Sequence, residues 1–211
     1  MSRYFQDRTL GQNKKLRTRG VLFDSALVIF CKQGISNTRL EDITQYAGIA
    51  NATFYNHFKD KDELLFELAT AALSELVEFL DKALAGINDP PIRIVLIIYV
   101  IMNTALEHEG WRLFLGQSPH LVPTKLDYLV IERFIENVTL GVEEGLFPSE
   151  HDWFEMHQVR ALLHSGVGRL GKKHDVNIID RTSENILRLL GMSSADARLA
   201  VDKGRSLYEL K

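Results

Sequence analysis

One cysteine in 211 residues, Cys31, leaves no partner for an internal disulfide and no set for a multi-cysteine zinc site. It lies among apolar neighbours in a helical pattern and reads as a small core residue, not a nucleophile. The longest unbroken apolar run, Ile94–Met102, has nine residues, which is short for a bilayer crossing. The first fifteen residues hold no apolar stretch of the kind a secretory leader needs. A cytoplasmic protein in a reducing compartment is therefore expected. No stretch alternates polar and apolar residues as a half-buried strand does, and no 20–50-residue repeat recurs. The chemistry-bearing signatures H-E-x-x-H, G-x-S-x-G and the P-loop are all missing, and no carboxylate pair can be assigned to a site, so an enzyme is not expected. His157 and His164 stand seven apart on one helical face with no acidic or thiol partner, so neither a metal nor another cofactor is anticipated.

What is present is helical. With 45% apolar and 25% charged residues the composition is that of an ordinary globular chain. Leu22, Ala26, Ile29 and Phe30 recur at helical spacing within residues 14–33, and Gly34 follows as a stop. Residues 1–13 are polar, show no periodicity and read as a mobile arm. From Asp60 a long helix runs through Leu64, Leu68, Leu73 and Leu80 to about Gly86. After Pro90-Pro91 comes a helix apolar nearly all round, Ile92–Glu109. A short helical piece at Trp111–Gln117, a loop at Ser118–Pro123 and helices at about 124–144, 150–173, 179–190 and 194–210 complete an all-α chain. Charge is unevenly spread: residues 1–61 hold 10 Lys and Arg against 5 Asp and Glu, and the rest hold 15 against 23. A basic head on an acidic body suits docking of one end on phosphate.

The most informative segment is TRLEDITQYAGIANATFYNHF, Thr38 to Phe58. Thr38 and Glu41 have the spacing of a capping box, and Leu40, Ile43 and Ala47 form a buried stripe. Gly48 supplies the positive φ that a sharp break needs. Ile49, Phe54 and Phe58 anchor a second short helix, whose other face carries Asn51, Thr53, Tyr55, Asn56 and His57. Such a helix is too short to stand alone and must be held by its neighbours. This is a helix-turn-helix, the arrangement that presents a helix to the major groove of DNA.

Three segments, VLFDSALVIFCKQGI (Val21–Ile35), TRLEDITQYAGIA (Thr38–Ala50) and TFYNHFKDKDELL (Thr53–Leu65), resemble the N-terminal DNA-binding domain of the TetR family of transcriptional regulators. The resemblance covers the first third of the chain; beyond it only the family's general helical layout is similar. Two departures are Ala50, where the family carries Ser or Thr, and Thr44, where it carries a small Ala. Without a hydroxyl at position 50, Asn51 is expected to cap the helix one residue later.

The resemblance implies an N-terminal head (1–61) and a helical ligand-binding and dimerisation body (62–211). It implies DNA contact by Thr53, Tyr55, His57 and Lys59. From the residues themselves, Asn51 and Asn56 suit base readout, with Ala52 beside them. Thr38 and Arg39 suit a phosphate at a helix start, Lys61 a phosphate beyond the motif, and Lys15 and Arg17 the flanking backbone.

For the body the resemblance implies a homodimer and a small-molecule site. Ala161, Leu162, Ser165, Gly166, Gly168 and Arg169 offer a small-residue face for a two-fold contact. Leu76, Leu80, Tyr99, Met102, Asn103, His108, Trp111, Phe114, Tyr128 and Phe134 are candidate pocket residues for a largely apolar effector. The expectation is a ligand-responsive regulator, a repressor that a small-molecule inducer releases from a palindromic operator. An activator of the same fold stays open; an all-helical enzyme and a protein-binding adaptor are alternatives that the motifs do not favour.

Overall fold

The computed structural model describes residues 4–107, 112, 124–148, 153–171 and 177–210. Among these residues there are ten helices and no strand: α1 Tyr4–Arg8, α2 Lys14–Gln33, α3 Leu40–Ala47, α4 Asn51–Tyr55, α5 Lys61–Leu84, α6 Pro90–Glu107, α7 Thr124–Glu143, α8 Trp153–Arg169, α9 Ile178–Leu189 and α10 Ser194–Glu209. The expected pieces at Trp111–Gln117 and Ser118–Pro123 lie outside the described residues, apart from Arg112.

Helix ends follow local chemistry. The Asn13 side chain accepts from Leu16 N–H at 3.0 Å, Asp60 from Glu63 N–H at 2.8 Å and Ser193 from Asp196 N–H at 3.1 Å. Each satisfies a donor that the helix itself leaves open.

The α6 helix is the axle of the body. Fourteen of its side chains, including Ile94–Met102 without interruption, are buried, because α5, α7, α9 and α10 surround it. With eighteen residues and a mean hydropathy of 1.4 it has the length and composition of a membrane span, yet 72% of it is buried within the protein. A helix covered in this way has no apolar side left for lipid. Arg93, in its first turn, reaches back to the Leu84 and Ile87 carbonyls at 3.2 and 2.8 Å and to Asn137 on α7. One guanidinium thus closes the end of α5 and joins three elements.

The N-terminal segment differs from the sequence expectation. Instead of a mobile arm, its described part carries α1, which lies against α2. The Asp24 carboxylate, buried in α2, accepts from the Phe5 and Gln6 amides at 3.0 and 2.9 Å. The Phe5 ring meets Phe23 edge-on at 5.3 Å. Gly20 makes the approach possible: a β-carbon there would stand 2.8 Å from the Phe5 carbonyl oxygen. Burial raises the Asp24 carboxyl above its ordinary range, against the lowering effect of the two amides.

Candidate nucleic-acid interface

The head is built around a train of aromatic rings. Phe23 of α2 sits 5.6 Å from Phe58, and Phe58 sits 5.5 Å from Phe54 of α4. Phe54 and Phe58 are fully enclosed, so the five-residue α4 is held from behind by what it packs on. The turn before it needs Gly48, which has φ +66 and the left-handed conformation. With its inner face anchored, α4 directs Asn51, Ala52, Tyr55 and Asn56 outward, and Tyr55 is 59% exposed. Thr53 is half-buried. Lys59 follows the motif and is exposed, as are Lys15 and Arg17 on the first turns of α2 and Arg39 at the start of α3.

Several expected site residues have structural bonds that narrow their part. Thr38 is 3% exposed, and its hydroxyl donates to the Gly34 carbonyl at 2.7 Å rather than capping α3. The cap is displaced by one residue: the Asp42 carboxylate accepts from the Arg39 amide at 2.9 Å, and Glu41 takes no part. The Arg39 amide and the Gln33 amide group both hold the Asp42 carboxyl below its usual range. Asn51 does not cap α4 either. Its Oδ1 accepts from the Thr44 hydroxyl at 2.6 Å, which pins the second helix to the first and leaves the amide N–H2 for other partners. The Lys61 ammonium points inward, donating to the Ile35 and Thr38 carbonyls at 2.9 and 2.8 Å. It ties the start of α5 to the turn before α3.

Nothing local in the sequence marks Arg19, yet it is the node of the head. Its guanidinium lies over Phe58 at 4.5 Å and over Phe23 at 5.5 Å. It donates to the His57 carbonyl at 3.4 Å and pairs with Glu67 on α5. His57, half-buried beside it, keeps a ring nitrogen, Nδ1, enclosed with no hydrogen-bond partner among the described residues. Burial first, then the positive charges of Arg19 and Lys15, push the His57 imidazole below its usual value. That enclosed nitrogen lies near the positive charges of Arg19 and Lys15.

In the body, the residues expected to line a pocket separate. Leu76 and Leu80 are fully buried core on α5. The Tyr99 hydroxyl donates to Asp180 on α9, and its ring lies 5.4 Å from Tyr208 on α10. Burial, followed by the Asp180 bond, raises the Tyr99 phenol far above its usual range. Asn103 donates to the Tyr99 carbonyl at 2.9 Å within α6. Met102 packs beneath Gly166. His108, Trp111 and Phe114 lie outside the described residues, as does the Tyr128 side chain. Of the candidates among the described residues, Phe134 borders a partly open apolar pocket of about 100 Å³ that lies among α6, α7, α8 and α9. A second, more polar groove of about 720 Å³ runs between Phe79, Val100 and Tyr208, with Lys82 and Glu107 on its walls.

On α8, Ala161, Ser165, Gly168 and Arg169 are exposed and Leu162 is half-buried. Gly166 faces inward, where a β-carbon would stand 2.6 Å from Thr182 Oγ1. It serves packing within the chain and stands apart from the exposed set. Among the described residues no group of three or more metal-ligating side chains comes together.

Comparison with known proteins matches residues 22–68 to the family described as bacterial regulatory proteins, tetR family. The HTH-type transcriptional regulator AcrR of Shigella flexneri is 33% identical over 125 residues, which are 58% of this chain and 58% of that protein. The HTH-type transcriptional repressor KstR2 of Mycobacterium tuberculosis is 26% identical over 161 residues, 69% of this chain and 76% of that one. Among solved structures, RolR in complex with resorcinol superposes with a TM-score of 0.67 at 24% identity, over 90% of this chain and 95% of that chain. FadR of Bacillus subtilis in complex with stearoyl-CoA superposes with a TM-score of 0.60 at 15% identity, over 81% and 97%. The two structural likenesses speak to fold alone.

Proposed function

The chain belongs to the TetR family of bacterial regulatory proteins, and from that premise we propose that it is a transcriptional repressor that binds a palindromic operator as a homodimer and leaves it when a small molecule binds the body. The observation that carries this reading is α4: a short helix anchored from behind by Phe54 and Phe58, with Tyr55, Asn56 and Ala52 turned outward after the left-handed Gly48. Exposed Lys15, Arg17, Arg39 and Lys59 surround it. Cations of this kind supply phosphate contacts, while the outward face of α4 meets base edges.

In this reading residues 1–61 act as the head and 62–211 as the body. Two heads set about 34–36 Å apart reach successive major grooves on one side of a duplex. The exposed Ala161, Ser165 and Gly168 on α8 support that pairing because small side chains allow close helix approach. An effector that favours the unpaired spacing by ~1–3 kcal/mol lowers operator affinity roughly 5–150-fold. KstR2 is named a repressor, and RolR and FadR were solved with resorcinol and stearoyl-CoA; these favour repression and small-molecule control.

Selection of duplexes from a random pool, followed by titration at several salt concentrations, tests the reading. A palindromic consensus bound with a steep salt dependence is expected. Tyr55→Ala should abolish binding to it while the chain remains folded and dimeric. No enrichment at low salt, or full affinity in the Tyr55 variant, would remove α4 as the reading helix.

A further inference from the structure

We propose that Thr44 decides which base Asn51 reads, by occupying the acceptor side of its amide so that only donors reach the DNA. The inference rests on α4 as the helix that meets base edges, and it names what one of its side chains recognises there. Asn51 opens α4 and is exposed, whereas Thr44 stands seven residues earlier on α3 and is 2% exposed. The Thr44 hydroxyl and Asn51 Oδ1 are 2.6 Å apart. So short a separation suits an O–H donating to a carbonyl oxygen, because an amide N–H donating to oxygen sits at about 2.9–3.0 Å. The amide therefore turns its oxygen toward Thr44 and its nitrogen away.

A hydroxyl has one proton to give. That of Thr44 also lies 3.3 and 3.2 Å from the Leu40 and Glu41 carbonyls, but these are longer contacts. Both carbonyls already accept amides of α3 itself. The Thr44 carbonyl in turn accepts from the Ile49 N–H at 3.0 Å, across the turn at Gly48. Both polar ends of Thr44 are thus engaged with the start of the second helix. Asn51 meets the duplex already ordered, with less side-chain freedom to lose on binding.

An asparagine whose amide is wholly free pairs bidentately with adenine, accepting from N6 and donating to N7. With Oδ1 taken, the adenine amino group finds no acceptor and meets another N–H instead. The amino group of cytosine fares no better. Guanine offers O6 and N7, two acceptors side by side, and thymine offers O4. A donor-only amide therefore favours guanine, with thymine second. Asn56, exposed and without such a tether among the described residues, keeps both a donor and an acceptor. Two chemically identical side chains in one motif then recognise different bases.

Duplex selection with the full chain tests this, comparing wild type with Asn51→Ala, Thr44→Val and Thr44→Ser. Wild type should select guanine ahead of thymine at one position of each half-site, and Asn51→Ala should lose that preference alone. Thr44→Val removes the hydroxyl and frees Oδ1, so the lead of guanine over adenine there should fall roughly fivefold or more. Thr44→Ser should keep the wild-type preference, and the position that Asn56→Ala identifies should not respond to Thr44. If Thr44→Val does not fold, Thr44→Ala decides in its place. Adenine or cytosine at the Asn51 position in wild type would overturn the proposal, as would a preference unchanged in Thr44→Val. Asn51→Ala weakening every sequence alike would overturn it too, by placing Asn51 on a phosphate. A wild-type chain that selects no consensus would remove α4 as the reading helix and this proposal with it. A consensus indifferent to Thr44 would remove this proposal alone.

Discussion

Arg19 and Glu67 form an ion pair across 48 residues of sequence that joins the first long helix of the head to the helix that carries the body. The same guanidinium stacks on Phe58 and donates to the His57 carbonyl. The tail of the recognition segment, α2 and α5 therefore share one planar cation. An arginine used in this way positions its neighbours and is not free to neutralise a phosphate.

From that geometry, Arg19→Lys should weaken operator binding although it keeps the charge, because an ammonium cannot stack and fork at once. The logarithmic salt slope should stay where it is in the wild type, since no phosphate contact is lost. Glu67→Gln should produce the same pattern more mildly. A slope reduced by about one in Arg19→Lys would instead place this side chain on the DNA backbone.

His57 gives a pH dependence with a definite sign. Its imidazole is held below the ordinary value of 6.5 by burial, Arg19 and Lys15. The unfolded chain therefore takes up the proton first, and the stability due to neutral His57 is complete above pH 6.5 and lost as pH falls toward the lower folded value. A phosphate held by the exposed Lys15 offsets that cation's field and raises the His57 value, so DNA binding takes up a proton. Operator affinity should accordingly increase as pH drops from 8 to 6, and His57→Gln should flatten the profile; the check is binding at fixed ionic strength with the melting temperature followed in parallel.

Docking of α1 depends on a missing methyl group. Gly20→Ala would place a β-carbon 2.8 Å from the Phe5 carbonyl oxygen and 2.9 Å from Thr9 Oγ1, both tighter than van der Waals contact allows. Amide exchange at Phe5 and Gln6, whose N–H groups donate to Asp24, should accelerate sharply in this variant, while the amides of α3 keep their protection. Protection left intact at Phe5 would mean that α2 gives way and not α1.

Parts of this arrangement were written locally and parts were not. The stripe of Leu40, Ile43 and Ala47, the turn at Gly48 and the anchors Phe54 and Phe58 have helical spacing within twenty residues, so the helix-turn-helix could be read directly. The exact cap of α3 could not, because Thr38–Glu41 and Arg39–Asp42 share the same spacing. Only the burial of Thr38 under the Gly34 carbonyl decides between them. The short α1 shows no period of its own and is held by Asp24 and Phe23, some eighteen residues away. In α6 the apolar residues cover every side, so periodicity gave Tyr99 no direction, and it faces Asp180 and Tyr208 rather than the cavity. No local pattern marks Arg19, because its partners, His57 and Glu67, stand 38 and 48 positions along the chain.

Lys61 brings the two kinds of lysine in the motif into direct comparison. Lys59 is exposed, whereas the Lys61 ammonium spends two of its three protons on the Ile35 and Thr38 carbonyls. Removing a charged donor from two half-buried carbonyls costs about 1.5–3 kcal/mol of stability, because those oxygens then lack their partner. Lys61→Met, which keeps the apolar stem, should therefore lower the melting temperature clearly and leave the salt slope of operator binding unchanged. Lys59→Ala should do the opposite, reducing the slope by about one with little loss of stability. Were the two variants to lower the slope equally, the inward bonds of Lys61 would have to open on the DNA, and α5 would shift against the turn before α3 whenever the operator is bound.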